Sequence, residues 1–237
     1  MAREYWLMKS EPHKYSWTTF CKEYVDEGPI LWDGVRNYEA RNNMRAMTKG
    51  DLVLYYHSQA SKSVVGIARV ENEAYPDPTT DDDRWSVVDI VPVRSFEQPV
   101  SLKDVKARDD LAEIGLIKRS RLSVMPLTKA EFDTILEMGK TKLPRGAKAM
   151  DAEQAKAEVA KGCVDGSGLS EGEPLPAYAK KKKAAAKKTT PAAKKKKAKK
   201  KKAKKKTPAA KKTKAKAGAK KPPAKKKKTT KKTTKNG

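Results

Sequence analysis

The last 58 residues, Lys180 to Gly237, hold 30 lysines, no acidic residue and no valine, leucine, isoleucine, methionine or aromatic side chain. Such a segment has nothing with which to build a core. Its lysine blocks repel one another and bury no surface that could offset the entropy of ordering the chain, so the tail is expected to be disordered. Whatever folds must lie in residues 1–179. Subtracting the tail's 30 lysines from 55 Lys+Arg leaves 25 against 29 Asp+Glu, a net charge of −4 for that part. The formal +26 of the whole chain therefore belongs to an appendage suited to polyanions.

Lysine neutralises phosphate and releases condensed counterions, which gives sequence-independent, steeply salt-dependent affinity for nucleic acid. Lys194, Lys195, Lys196 and Lys197, followed by Lys199, Lys200, Lys201 and Lys202, are the densest phosphate-binding candidates. Alanine spacers permit helix on a phosphate surface, while Pro191, Pro208, Pro222 and Pro223 keep any such helix short. In composition the tail resembles the C-terminal tails of linker histones. A solubilising or localisation role is the plainer alternative, since basic runs also serve nuclear import.

Every aromatic residue except Tyr178 lies between Tyr5 and Phe132, which points to one domain over 1–140, a linker over 141–179 with a short helix, and the tail over 180–237. No apolar run approaches the ~20 residues of a membrane span, and no charged-then-apolar signal opens the chain, so no membrane partner is expected. Cys21 and Cys163 are isolated, which suits a reducing compartment rather than a disulfide framework. With only His13 and His57 besides, no metal-ligand spacing appears, and no cofactor fingerprint is present. The expected location is intracellular, the nucleoid in a bacterium or the nucleus in a eukaryote, and the expected state is a monomer.

Local patterns place a strand at residues 5–9, a helix capped by Ser16 and ended by Gly28-Pro29, and a helix over 37–47. Strands follow at 52–57, 64–70, 85–93 and 122–124. Ser101 caps a short helix, Thr128-x-x-Glu131 forms a capping box, and Asp151 caps a mostly polar helix to Ala160. Strands of five to seven residues broken by short helices and long loops predict an α+β fold, a small sheet or β-barrel with peripheral helices.

The most concentrated chemistry runs from Trp32 to Asn43, where two aromatics, two arginines and three side-chain amides surround one strand-to-helix loop. A ring face to stack on, amides matching a base edge and arginines for phosphate are what holding a heterocycle requires. Gly34 lets a ligand approach the backbone. The competing reading makes Trp32 and Tyr38 core residues, Asn37 a helix cap and Arg41 a surface ion pair. His57-Ser58 are strand neighbours pointing to opposite faces, so a Ser–His catalytic pair there is disfavoured.

Residues 5–12 (Tyr-Trp-Leu-Met-Lys-Ser-Glu-Pro), 32–44 (Trp-Asp-Gly-Val-Arg-Asn-Tyr-Glu-Ala-Arg-Asn-Asn-Met) and 49–58 (Lys-Gly-Asp-Leu-Val-Leu-Tyr-Tyr-His-Ser) resemble the EVE domain. Segments 65–68, 74–79 and 120–128 continue the resemblance in the family's order, over about residues 3–140. It implies a PUA-like fold, a small β-barrel related to YTH domains, with a pocket for a modified base of the 5-methylcytosine type. It implies nothing about the tail. Carried onto this chain, Lys9, Ser10 and Glu11 form one wall. Trp32 with Gly34, Val35, Arg36, Asn37 and Tyr38 forms another, with Arg41 and Asn42 behind. Tyr56, His57 and Ser58 close the rim. Arg45, Lys118, Arg119 and Arg121 are local basic exceptions on an acidic domain and join the phosphate-binding candidates.

Three functions compete: a non-catalytic reader of a modified base in DNA or RNA, an architectural protein bound mainly through its tail, and an enzyme acting on the extruded base. The third needs an ionised carboxylate facing the base, for which Glu11 is the pocket candidate. Because tail lysines see only phosphate, deleting residues 180–237 is predicted to flatten the slope of log K against log[salt] and to weaken modified and unmodified DNA alike. Binding isotherms across a salt series check this, and an unchanged slope contradicts it.

Overall fold

The computed structural model describes residues 3–59 and 61–161. The tail, Cys163 and Tyr178 lie outside the described residues, and so does the expectation of disorder. Six strands form one mixed sheet in the order β2-β5-β4-β3-β1-β6, made of β1 (Tyr5–Ser10), β2 (Ile30–Trp32), β3 (Leu52–His57), β4 (Ser63–Pro76), β5 (Ser86–Ser101) and β6 (Val124–Leu127). β1 and β3 run parallel, from Tyr5 opposite Leu52 to Ser10 opposite His57. The other pairings are antiparallel.

A parallel pair needs a crossover. Here the crossover carries α1 (Trp17–Glu27), β2 and α2 (Tyr38–Ala46). α1 begins where the Ser16 side chain accepts from the Thr19 amide and stops at Gly28, whose φ of 78° belongs to the left-handed region that glycine tolerates. α2 begins where Asn37 accepts from the Ala40 amide. Asn43 Nδ2 of α2 donates to the Val124 carbonyl of β6 at 2.8 Å, and Arg45 Nε donates to Ser86 Oγ of β5 at 2.8 Å. In a flat sheet β5 and β6 would lie four strand spacings apart, about 19 Å. Two side chains that are two residues apart on one helix reach both, so the sheet curls round α2. That curl is the barrel-like character expected from sequence.

The core beneath is aromatic. Tyr55 of β3 stacks on Phe20 at 5.6 Å between centroids and receives the edges of Trp17 at 5.2 Å and Trp32 at 5.4 Å. Trp17 donates its indole N–H to Ser95 Oγ at 2.7 Å and lies flat against Gly66. Buried Asp51 locks the start of β3 to β1, accepting from the Glu4 amide, the Trp6 indole, and the amide and hydroxyl of Thr48 at 2.9–3.1 Å.

Two expectations need correction. β4 and β5 have 14 and 16 residues rather than the seven and nine expected at 64–70 and 85–93. Four register shifts between them disrupt the alternation that marks a strand in sequence, and each bends the ribbon. The strand expected at 122–124 begins at Val124, because Leu122 closes a turn onto the Arg119 carbonyl. Exposed Pro126 sits in this edge strand, where a missing donor is tolerated.

The remaining helices are α3 (Leu102–Lys106), α4 (Gly115–Lys118), α5 (Lys129–Met138) and α6 (Ala152–Ala160). Residues 141–161, read as the start of a linker, fold back onto the sheet. Tyr24 donates to the Met150 carbonyl, the Met150 amide donates to Pro92, and Arg69 donates to the Ala147 carbonyl. Ala147, Met150 and Ala155 join the core.

A Cβ on Gly66 would sit 2.5 Å from the Trp17 ring. Gly66→Ala is therefore predicted to destabilise the fold by about 1–3 kcal/mol through overpacking, measured by denaturant unfolding. Unchanged stability would mean that Trp17 is not seated against β4.

Candidate nucleic-acid interface

The register of β1 against β3 sets Lys9 beside Tyr56 and Ser10 beside His57. Two walls expected from separate parts of the sequence thus meet at the carboxyl ends of two parallel strands. Ser10 Oγ donates to the Tyr15 carbonyl at 2.7 Å, and the Tyr55 hydroxyl donates to the same oxygen at 3.0 Å. The Ser58 amide and hydroxyl both donate to the Ser10 carbonyl, at 2.8 and 3.1 Å. His57 is fully buried and its Nε2 accepts from the Trp17 amide at 3.0 Å, so it anchors α1 to β3 rather than forming an open rim.

Lys9 is half-buried, which pushes its ammonium below the ordinary lysine range. Its Nζ donates to the Ser120 carbonyl at 3.2 Å and lies 6.0 Å from the centre of the Tyr56 ring. Burial pushes the Tyr56 phenol up to about 12, so it remains a neutral donor. The Lys14 ammonium, 2.5 Å away, holds Glu11 below the usual carboxylate range, with His13 at 3.2 Å and a hydrogen bond from Gln59 contributing. Gln59 itself sits at φ 64°, a left-handed conformation uncommon for a side-chain-bearing residue, next to this cluster.

Trp32 approaches the cluster from β2. It is 7% exposed and meets the rings of Tyr55 and Tyr15 edge-on, at 5.4 and 6.4 Å between centroids. Its place is in the core, beneath the cluster, with buried Val35 beside it in the same hydrophobic body. Exposed Gly34, at φ 74°, turns the chain between them. Asn37 behaves as a helix cap.

Three of the expected pocket residues turn elsewhere. Arg36 pairs with buried Asp77 at 3.0 Å and lies 5.4 Å from the Trp85 ring centre. Arg41 donates to Asn42 Oδ1 and to the Arg84 carbonyl, with its guanidinium 4.9 Å from the centre of the Tyr38 ring. Tyr38 stacks on Trp85 at 5.2 Å. Arg45 also donates to the Arg84 carbonyl. Arg36, Tyr38, Arg41 and Arg45 therefore face the segment from Asp77 to Ser86, while the Asn42 side chain meets Arg41. Sequence reading missed the partners there: Asp77 entered within the 74–79 segment of the resemblance, and Trp85 as the start of the strand at 85–93.

On the other side of α2, Arg119 pairs with Glu39 and Lys118 with Glu113. Arg121 is exposed and has no carboxylate partner among the described residues. The tail candidates Lys194 to Lys197 and Lys199 to Lys202 lie outside the described residues. Among the described residues no cluster of His, Cys, Asp or Glu is arranged to hold a metal ion, and no helix is long and apolar enough to cross a membrane.

Residues 4–138 match the model of the EVE domain. The chain is 38% identical over 167 residues to thymocyte nuclear protein 1 of Mus musculus, an alignment covering 58% of this chain and 74% of that protein. A solved protein from Agrobacterium tumefaciens superposes with a TM-score of 0.57 at 46% identity, covering 62% of this chain and 99% of that one. Human THYN1, solved in complex with DNA containing 5-methylcytosine, superposes with a TM-score of 0.51 at 32% identity, covering 59% of this chain and 99% of that one.

Because Trp32 is a core ring rather than an open wall, Trp32→Ala is predicted to cost about 3–5 kcal/mol of folding stability. Thermal and denaturant unfolding check this. A variant of near-native stability would put the indole back on an accessible surface.

Proposed function

The chain belongs to the EVE-domain family, and we propose that it is a non-catalytic reader of a modified base of the 5-methylcytosine type in DNA. The observation that carries the proposal is the meeting of Lys9, Ser10 and Glu11 with Tyr56, His57 and Ser58 at the ends of β1 and β3, packed over Trp32 through Tyr55. This arrangement offers hydroxyls, backbone polar groups and one ammonium to a base edge, with the buried Trp32 and Tyr55 rings holding the strands from behind. Human THYN1, a relative of the same fold, was solved with 5-methylcytosine-containing DNA.

The chemistry of the cluster favours binding over catalysis. Glu11, held ionised by Lys14 and His13, is a weakened base. Cys21 is buried and burial pushes its thiol up, so it is a poor nucleophile.

Reading a base edge requires extruding the base from the duplex, at about a few kcal/mol. Stacking returns roughly 1–3 kcal/mol, so recognition by the domain alone is weak and selective. In this proposal the lysine tail supplies non-specific phosphate affinity and raises the local concentration of DNA. Exposed Arg121, without a carboxylate partner among the described residues, adds a local phosphate contact, and the protein works where DNA is, as the name of its murine relative suggests.

Competition between matched oligonucleotides carrying cytosine or 5-methylcytosine tests the proposal, using a protein ended at residue 179 in low salt. Burying one methyl group is worth about 0.8 kcal/mol, so a preference of at least about fourfold for the methylated strand is predicted. Equal affinity for both would point to the architectural reading, and a preference confined to RNA would move the ligand class.

A further inference from the structure

Tyr38 is 52% exposed and is the one large hydrophobic side chain left exposed among the described residues. It is nonetheless fixed in place. Its ring stacks on Trp85 with 25° between planes, its hydroxyl accepts from Arg84 Nη1 at 3.1 Å, and Arg41 covers part of it. Trp85 is held in turn, its indole N–H donating to Asp82 Oδ2 at 3.1 Å. Arg41 is oriented by donating at 3.1 Å to the Arg84 carbonyl and at 2.7 Å to Asn42 Oδ1. A guanidinium and a phenol ring thus form an ordered, partly exposed assembly outside the base cluster, seated on the buried Trp85 indole.

Charge alone does not explain it. Arg36 is answered by Asp77 and Arg84 by Asp82, while Asp81 and Asp83 lie in the same turn as a counterweight to Arg41 and Arg45. A near-neutral patch has little pull on a polyanion. Flat guanidinium and aromatic surfaces are instead what nucleobases stack on, whatever their identity. Tyr38 is six residues beyond Trp32, so the chain between them spans at most about 20 Å. Extruding one base leaves its neighbours without a stacking partner.

We infer that Arg41 and Tyr38, backed by buried Trp85, form a stacking platform for a DNA base next to the extruded one. The inference rests on the base-reader proposal. It assigns a role to Trp85 and Arg84 and moves Tyr38 and Arg41 from the pocket to its flank.

The test uses the full chain in high salt, where phosphate binding by lysines is screened, with oligonucleotides carrying cytosine or 5-methylcytosine. Tyr38→Ala is expected to weaken both on the order of tenfold, leaving their ratio and the salt slope unchanged. Tyr38→Leu, which keeps apolar packing on Trp85 but offers no ring, gives the same loss, and Tyr38→Phe restores most of it. Arg41→Lys, which keeps the charge and loses the plane, weakens both ligands. Wild-type affinity in Tyr38→Ala or Tyr38→Leu overturns the platform, and so does a Tyr38→Phe protein as weak as the alanine variant. Failure of the base-reader proposal shows separately, as a wild-type protein that does not distinguish the two oligonucleotides.

Discussion

The parallel pairing of β1 with β3 decides where this molecule can do chemistry. Tyr5 opposite Leu52 fixes one end, and Asp51 ties it down through Glu4, Trp6 and Thr48. Ser10 opposite His57 fixes the other, where Ser58 donates twice to the Ser10 carbonyl. A register slip of one residue would turn every side chain to the other face and separate Lys9 from Tyr56. The crossover demanded by parallel strands also explains the surroundings. It sends α1 down onto Tyr55 through Phe20 and Trp17, carries β2 to the far side of β5, and brings α2 back across the curled sheet.

α2 divides two kinds of surface. Through Glu39 and Asn43 it touches Arg119 and Val124, near the loop that receives the Lys9 ammonium. Through Tyr38, Arg41 and Arg45 it meets the turn ending at Trp85 and Ser86. Recognition of one base and support of its neighbour would then lie on opposite flanks of a nine-residue helix. The folded part, with 25 basic against 26 acidic residues up to Lys161, has little general electrostatic grip, and in the proposed reading the lysine-rich tail supplies it.

Legibility in the sequence followed how local each signal was. Ser16, Asn37, Ser101 and Thr128 are caps set by side chains bonding amides three residues on, and the helices start where those residues predict. The strand at 52–57 was readable because its run of buried apolar residues is bounded by Gly50-Asp51 and Ser58. β4 and β5 were read too short because their register shifts break alternation. The resemblance to the EVE domain brought the two wall segments together, which no local pattern could. It did not say that Arg36 and Arg41 turn away, since the partners they meet, Asp77 and the Arg84 carbonyl, lie more than forty residues on and nothing local pairs them. The packing of α6 on α1 was hidden by its polarity, because Ala155 supplies its one fully buried face.

The central claim is that a modified base enters between the ends of β1 and β3 and the turn at Gly34. Backbone amide shifts measured by NMR during titration with a short 5-methylcytosine oligonucleotide report on it residue by residue. The account predicts the largest perturbations at Ser10, Glu11, Gly34, Val35 and Ser58, with smaller ones when cytosine replaces the methylated base. Perturbations confined to the lysines beyond residue 180, with those five amides unmoved, would contradict it.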